Sequence, residues 1–120
     1  MPGEKLVFEH LPSTSEEHTF RLQGPFTLNN LFAFQAVLRA QSVTTVLDLT
    51  GVPYMDSAGL GVLVNSHVSR QQHGQKLVLV GVTERVQELF KLTKVDSVLE
   101  VFPNLEAAYR ALGISERGIA

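Results

Sequence analysis

The residues with the clearest chemical content form one short run, Asp56-Ser57-Ala58-Gly59-Leu60-Gly61, which follows a strand-like segment ending near Thr50. A serine beside an aspartate ahead of a helix has two ordinary uses. Either side chain can be an N-cap and nothing more, because both types accept a hydrogen bond from the first amides of a helix. Alternatively, Ser57 is a hydroxyl displayed at the helix N-terminus. Unpaired N–H groups and the helix dipole favour negative charge there, so the fold would tolerate a phosphate on that hydroxyl. In this second reading Asp56 orients the hydroxyl or helps draw its proton during phosphoryl transfer. Val52, Tyr54 and Met55 are apolar in what should be a surface loop. They become candidates for a docking rim, with Leu60 divided between rim and core. Gly59 and Gly61 fall in the first turns of the helix, each at about 1 kcal/mol relative to alanine. They are expected to hold the helix start close to the sheet.

Other chemistries fit less well. A serine hydrolase elbow needs Gly-x-Ser-x-Gly, and Met55 stands where the first glycine should be. The available bases, His67 and His73, read as a core histidine and a group complementing a helix C-terminus. Gly59-Leu60-Gly61 continues as Val62-Leu63-Val64, without the third glycine of a dinucleotide fingerprint. Asp48 and Asp56 have no third ligand at a recognisable metal spacing, and Asp48 is expected to bond nearby backbone or helix-start groups. A response-regulator receiver would show an acidic pair after its first strand, and none is visible.

The elements that must position this run alternate along the chain. Leu6–His10 and His18–Leu22 read as strands joined by the polar loop Pro12–Glu17, and Gly24-Pro25 closes the second. Leu28, Leu31, Phe32, Phe34, Val37 and Leu38 predict a helix over about 28–40. Val46-Leu47-Asp48-Leu49 and Leu77-Val78-Leu79-Val80 are apolar in succession, as in strands covered on both faces. Between them Leu60, Leu63, Val64, His67 and Val68 keep helical spacing, with Gly74 as the stop. Thr83 caps a third helix that carries Val86, Leu89 and Phe90 inward, with Glu84, Arg85, Glu88 and Lys91 on its solvated face. Val98–Phe102 is a last strand. Asn104 caps a final helix with Leu105, Ala108, Tyr109 and Leu112 on one face and Gly113 just beyond its end. The order β-β-α-β-α-β-α-β-α predicts one α/β domain over 1–113, a mixed sheet of about five strands packed with about four helices. Right-handed crossovers should join the parallel strands. A loose tail is expected at 114–120.

Composition bounds the partners. The chain has 120 residues, 44% of them hydrophobic, enough for one domain with a core. Ten Lys+Arg against twelve Asp+Glu gives a formal net charge of −2, and no basic cluster supplies the phosphate neutralisation that nucleic-acid binding needs. The longest uninterrupted aliphatic run is far too short for a bilayer, and no apolar signal segment follows the first five residues. With no cysteine there is no disulfide framework or thiolate nucleophile, which suits a cytoplasmic chain.

The stretch Val46-Leu47-Asp48-Leu49-Thr50-Gly51-Val52-Pro53-Tyr54-Met55-Asp56-Ser57-Ala58-Gly59-Leu60-Gly61-Val62-Leu63 resembles the STAS family, in particular the bacterial anti-sigma factor antagonists. The likeness continues through Gly74, Lys76–Val82 and Glu106-Ala107-Ala108, covering about residues 18–112. It implies a protein that is not an enzyme and needs no cofactor. Its partner would be an anti-sigma factor that is also a serine kinase, bound so that a sigma factor is released. Phosphorylation of Ser57 would abolish that binding, and a PP2C-type phosphatase would reset it. Two positions depart from the family pattern. Thr27 stands where many members have an acidic residue on the partner-facing side, and Ala58 stands where many have a second serine. The alternative within the family is a scaffold or ligand-responsive subunit that is never phosphorylated. A weak homodimer through the same apolar loop is also compatible with the sequence.

Overall fold

The computed structural model describes residues 5–13, 16–40 and 43–114. Of the tail expected at 114–120 only Ile114 is described, and it is not loose. Its amide donates to the Tyr109 carbonyl at 2.9 Å, and its side chain packs on the core that holds Ala108 and Tyr109. Residues 115–120 and part of the first polar loop lie outside the described residues. The elements run β1 (Val7–Leu11), β2 (Glu17–Gln23), α1 (Phe32–Arg39), β3 (Thr44–Gly51), α2 (Ser57–Gln72), β4 (Leu77–Val80), α3 (Glu84–Leu92), β5 (Glu100–Phe102) and α4 (Leu105–Leu112). The five strands form one sheet in the order β1-β2-β3-β4-β5. β1 pairs antiparallel with β2, and β2 to β5 are parallel to one another. The predicted element order, single domain and mixed sheet are all present.

Strand alternation separates two cores. Phe20, Leu22, Leu47, Leu49, Leu77 and Leu79 point to one face, where Phe34 and Leu38 of α1, Leu60 and Leu63 of α2, and Val86 and Phe90 of α3 pack on them. Val46, Val78 and Val80 point to the other face, where α4 packs with Ala108 and Tyr109. Burial on both faces explains the unbroken aliphatic run of β4 and the apolar residues on both faces of β3, which Asp48 interrupts. The three βαβ units advance the same way across the sheet with their helices on one face, so all three share one handedness. All three helices therefore begin at the same edge, the carboxyl ends of the parallel strands.

Polar groups in the core serve as ties. Thr19 donates to Glu17 Oε2 at 2.7 Å and lies 2.8 Å from the Tyr109 hydroxyl, linking β2 to α4. Buried Arg70 donates through Nε to the Val43 carbonyl and Thr45 Oγ1, and through Nη2 to the Leu38 carbonyl. It joins the end of α2 to the ends of α1 and the start of β3. The cap signals also hold. Thr83 accepts from the Val86 amide, Asn104 accepts from the Ala107 amide, and Gly113 is left-handed at φ 73°.

Two predicted spans change. α1 starts at Phe32 and not near residue 28, because Thr27–Asn30 closes a turn: the Thr27 amide donates to Asn30 Oδ1 at 2.9 Å and the Asn30 amide to the Thr27 carbonyl at 3.0 Å. With that start, Leu31, Phe34 and Leu38 face the core, whereas Leu28 and Phe32 do not. The last strand begins at Glu100 because Val98 and Leu99 turn back to bond the Val95 carbonyl.

Candidate functional site

Beyond the ends of β2 and β3 the two connecting segments stay side by side. The Gly24 amide donates to the Gly51 carbonyl at 2.9 Å, and the Phe26 amide to the Tyr54 carbonyl at 3.1 Å. Phe26 and Met55 form an isolated parallel bridge. This continuation of the sheet delivers Asp56 to the mouth of α2 with the 24–30 segment against it. In open parallel sheets, this carboxyl edge is where binding sites form.

Asp56 is the N-cap of α2, in extended backbone. Its Oδ1 accepts from the Gly59 amide at 3.0 Å and its Oδ2 from the Leu28 amide at 3.1 Å. The carboxylate thus fastens the helix start to the preceding loop. This is the N-cap reading of Asp56, and in this structure neither oxygen bonds the Ser57 hydroxyl. Ser57 is the first residue of α2 and is exposed. Among the described residues no hydrogen bond restrains its hydroxyl. The first N–H groups of a helix have no intrahelical acceptor. Asp56 satisfies that of Gly59, which leaves the first turn at Ser57 and Ala58 open to an anion.

Next to Ser57, Ala58 is half-buried and packs against the larger core. The two glycines behave differently. A Cβ on Gly59 would land on the Phe26 carbonyl oxygen and crowd its ring, so glycine is required for the loop to lie against α2. A Cβ on Gly61 would meet nothing within 4 Å. Gly61 therefore does not hold the helix to the sheet, contrary to expectation.

The apolar rim also needs correction. Val52 is 0% exposed, Met55 8% and Leu60 7%, all within the larger core. The Phe26–Met55 bridge turns the loop inward, so these side chains line no surface. Tyr54 is half-buried, with the Arg85 guanidinium 5.0 Å above its ring. Thr27 spends its polar groups on its own turn, its amide and hydroxyl both donating to Asn30 Oδ1. Leu28, whose amide bonds Asp56, is instead exposed at 55%, and Phe32, the first residue of α1 at the same edge of the sheet, at 61%. Sequence periodicity hid them by drawing both into a longer helix. The Asn29-Asn30 pair, favoured in turns, is the signal that separates them.

The histidines are elsewhere. His67 is ten residues along α2 from Ser57, about 15 Å at 1.5 Å per residue. His73 is exposed beyond the helix end and donates from Nδ1 to the Ser69 carbonyl. His18 sits at the opposite end of β2. None can act as a base toward Ser57. Asp48 accepts from the amide and hydroxyl of Thr50 and from Arg21 Nε at 3.2 Å, as expected of a group bonded locally. Among the described residues no group of three or more His, Cys, Asp or Glu could hold a metal ion, and no helix is long and apolar enough to cross a membrane.

Comparison with known proteins bears on this arrangement. The anti-sigma-B factor antagonist of Listeria monocytogenes serovar 1/2a (strain ATCC BAA-679 / EGD-e) is 39% identical over 61 residues, 51% of this chain and 54% of that protein. The chain spans about half the length of the curated relatives it matches. The anti-sigma factor antagonist SpoIIAA in its unphosphorylated form superimposes with a TM-score of 0.74 at 19% identity, over 92% of this chain and 100% of that one. The phosphorylated form of the Bacillus protein gives 0.70 at 17% identity, over 88% of this chain and 99% of that one. At such identities the likeness is one of fold. The model of the STAS domain matches residues 9–108, nearly the whole described sheet and its helices. The chain belongs to the STAS-domain family.

Proposed function

We propose that this chain is an anti-sigma factor antagonist switched by phosphorylation of Ser57. Unphosphorylated, it binds an anti-sigma factor that is also a serine kinase, and a sigma factor is released. Phosphorylated, it does not bind. The observation that carries this reading is the unengaged, exposed Ser57 hydroxyl at the open N-terminus of α2, held in place by a fold that makes no other use of it. Support also comes from the relatives named anti-sigma-B factor antagonists. The docking face is Ser57 with Leu28 and Phe32, in place of the buried Val52 and Met55.

The chemistry belongs to the partner. Ser57 Oγ forms a bond to the γ-phosphorus of ATP, the bond to the β–γ bridging oxygen breaks, and ADP leaves. The hydroxyl proton passes to a base on the kinase, while Asp56 accepts from the Gly59 and Leu28 amides and holds the helix start. This chain supplies position and access, holds no cofactor, and acts in the cytoplasm. A PP2C-type phosphatase resets it.

Charge is enough to work the switch. A phosphoserine adds about −1.5 to −2 charges at neutral pH. Against a partner carboxylate about 5 Å away, at an effective dielectric of 20–80, the repulsion is roughly 1.5–6 kcal/mol. Three kcal/mol already weakens binding by more than about a hundredfold. The direct test is intact-mass spectrometry of the chain from its native cells, with and without phosphatase. A phosphate-sized increase mapping to Ser57 and lost on treatment is expected. Its absence under several growth conditions would favour a STAS scaffold that is never phosphorylated.

A further inference from the structure

We propose that the cleft between α1 and α2 binds a small oxyanion, a phosphate or a polycarboxylate, at a site separate from Ser57. α1 turns Gln35, Leu38 and Arg39 toward the cleft, positions i, i+3 and i+4 of one helical face. α2 faces them with Val62, Asn65, Ser66, Ser69 and Arg70, which keep the same spacing over two turns. Buried Leu38 and Val62 make the apolar floor. The cavity measures about 210 Å³. That is room for about seven waters at ~30 Å³ each, and less than the ~300 Å³ where pockets for drug-sized ligands begin. Its ligand is therefore small.

The sign of the charge selects the ligand class. Among the described residues two arginines and no carboxylate line this cleft. Two other cavities each combine Lys76 with an acid, Glu16 in one and Glu100 in the other. The ends of α1 and α2 lie at the cleft, and each carries about half a negative charge. Two guanidiniums outweigh them by about one charge. Arg70 is 4% exposed and is fixed by its bonds to Val43, Thr45 and Leu38, so its planar fork loses little freedom when an anion arrives. Arg39 is exposed at the rim. Among the described residues no hydrogen bond or ion pair engages its side chain, nor those of Gln35, Asn65, Ser66 and Ser69. The Thr93 hydroxyl, by contrast, donates to the Leu89 carbonyl one turn back at 2.7 Å. The guanidinium, amide and hydroxyl donors of the cleft are the groups that oxyanions accept from. Asn65 is eight residues beyond Ser57, about 12 Å along the helix axis at 1.5 Å per residue. The site thus does not depend on Ser57 being phosphorylated.

The test titrates the full chain with inorganic phosphate and, separately, with citrate, each against sodium chloride at matched ionic strength. Amide NMR shifts and the thermal midpoint are read together. Saturable shifts centred on residues 35–39 and 62–70 are expected, with the midpoint raised by roughly 4–8 °C at ten times the Kd. Saturation by phosphate, by citrate or by both supports the site and names its oxyanion. Arg39→Gln should weaken binding by about tenfold or more, with the midpoint of the free protein within about 2 °C of wild type. Ser69→Glu, which adds a carboxylate at an exposed wall, should abolish binding. Shifts that sodium chloride reproduces would overturn the proposal as ionic screening only. Saturable shifts elsewhere in the chain, or Arg39→Gln binding as tightly as wild type, would overturn it by placing the anion outside this cleft. Binding of neither probe would overturn it outright.

Discussion

Ser57 contributes little to the fold that presents it, so its substitutions should separate binding from stability. Ser57→Ala should keep the unfolding free energy within about 0.5 kcal/mol of wild type, as expected for an exposed position without partners. In a pull-down it should hold the kinase even when ATP is present, since no phosphate can be added. Ser57→Asp should weaken binding less than the phosphate does, having one charge and no phosphate geometry. Asp56 is the opposite case. Asp56→Ala removes the cap on the Gly59 amide and the acceptor of the Leu28 amide, so it should cost about 1–2 kcal/mol in chemical denaturation. Hydrogen exchange at Leu28 should quicken with it, and an unchanged rate there would mean that the clamp does not hold. The cap could be read from residue type alone. The second bond, to Leu28, could not, because it depends on a loop brought alongside by the Phe26–Met55 bridge.

At the scale of elements, α2 contains two glycines with opposite expected effects. Gly59→Ala should lower stability by roughly 1–3 kcal/mol, since the added carbon meets the Phe26 carbonyl, which belongs to the backbone and cannot swing aside. Gly61→Ala should raise it. Thermal unfolding of the two variants side by side checks the sign of each. Sequence could not tell them apart, because both are glycines in one helical turn and the difference lies in a packing contact from residue 26. Elements with local signals were legible: Thr83, Asn104 and Gly113 are readable as end markers by type and place. α1 was legible in its inward face but not in its start. Leu28 and Phe32 have the right spacing for a longer helix, and the Thr27–Asn30 turn overrides it. The exposure of Leu28 and Phe32 was hidden for this reason.

For the whole molecule, the length of the sheet separates Ser57 from His18. His18 sits on β2, its ring 4.8 Å from that of His10 on β1, with Nδ1 buried and unpartnered among the described residues. Burial first, and then the charge of His10, push its pKa below 6.5, with Arg70 adding to this and Glu17 opposing it. The unfolded chain therefore takes up this proton more readily than the folded one. The stability tied to neutral His18 is fully present above about pH 6.5 and is lost as pH falls toward the lower folded value. The thermal midpoint of wild type should drop more steeply on acidification than that of His18→Gln, and equal slopes would remove His18 as the cause. Phosphorylation, at the far edge of the sheet, should leave that midpoint nearly unchanged.

The central claim is that one phosphate changes a binding face and not a fold. The most direct measurement is the affinity of the kinase partner for the unphosphorylated chain and for the chain phosphorylated at Ser57, with thermal unfolding of both. The expected result is binding weakened by more than about a hundredfold, with midpoints within a few degrees of each other. Equal affinity for the two forms would contradict the account, and so would a phosphorylated chain that loses binding only because it has lost its fold.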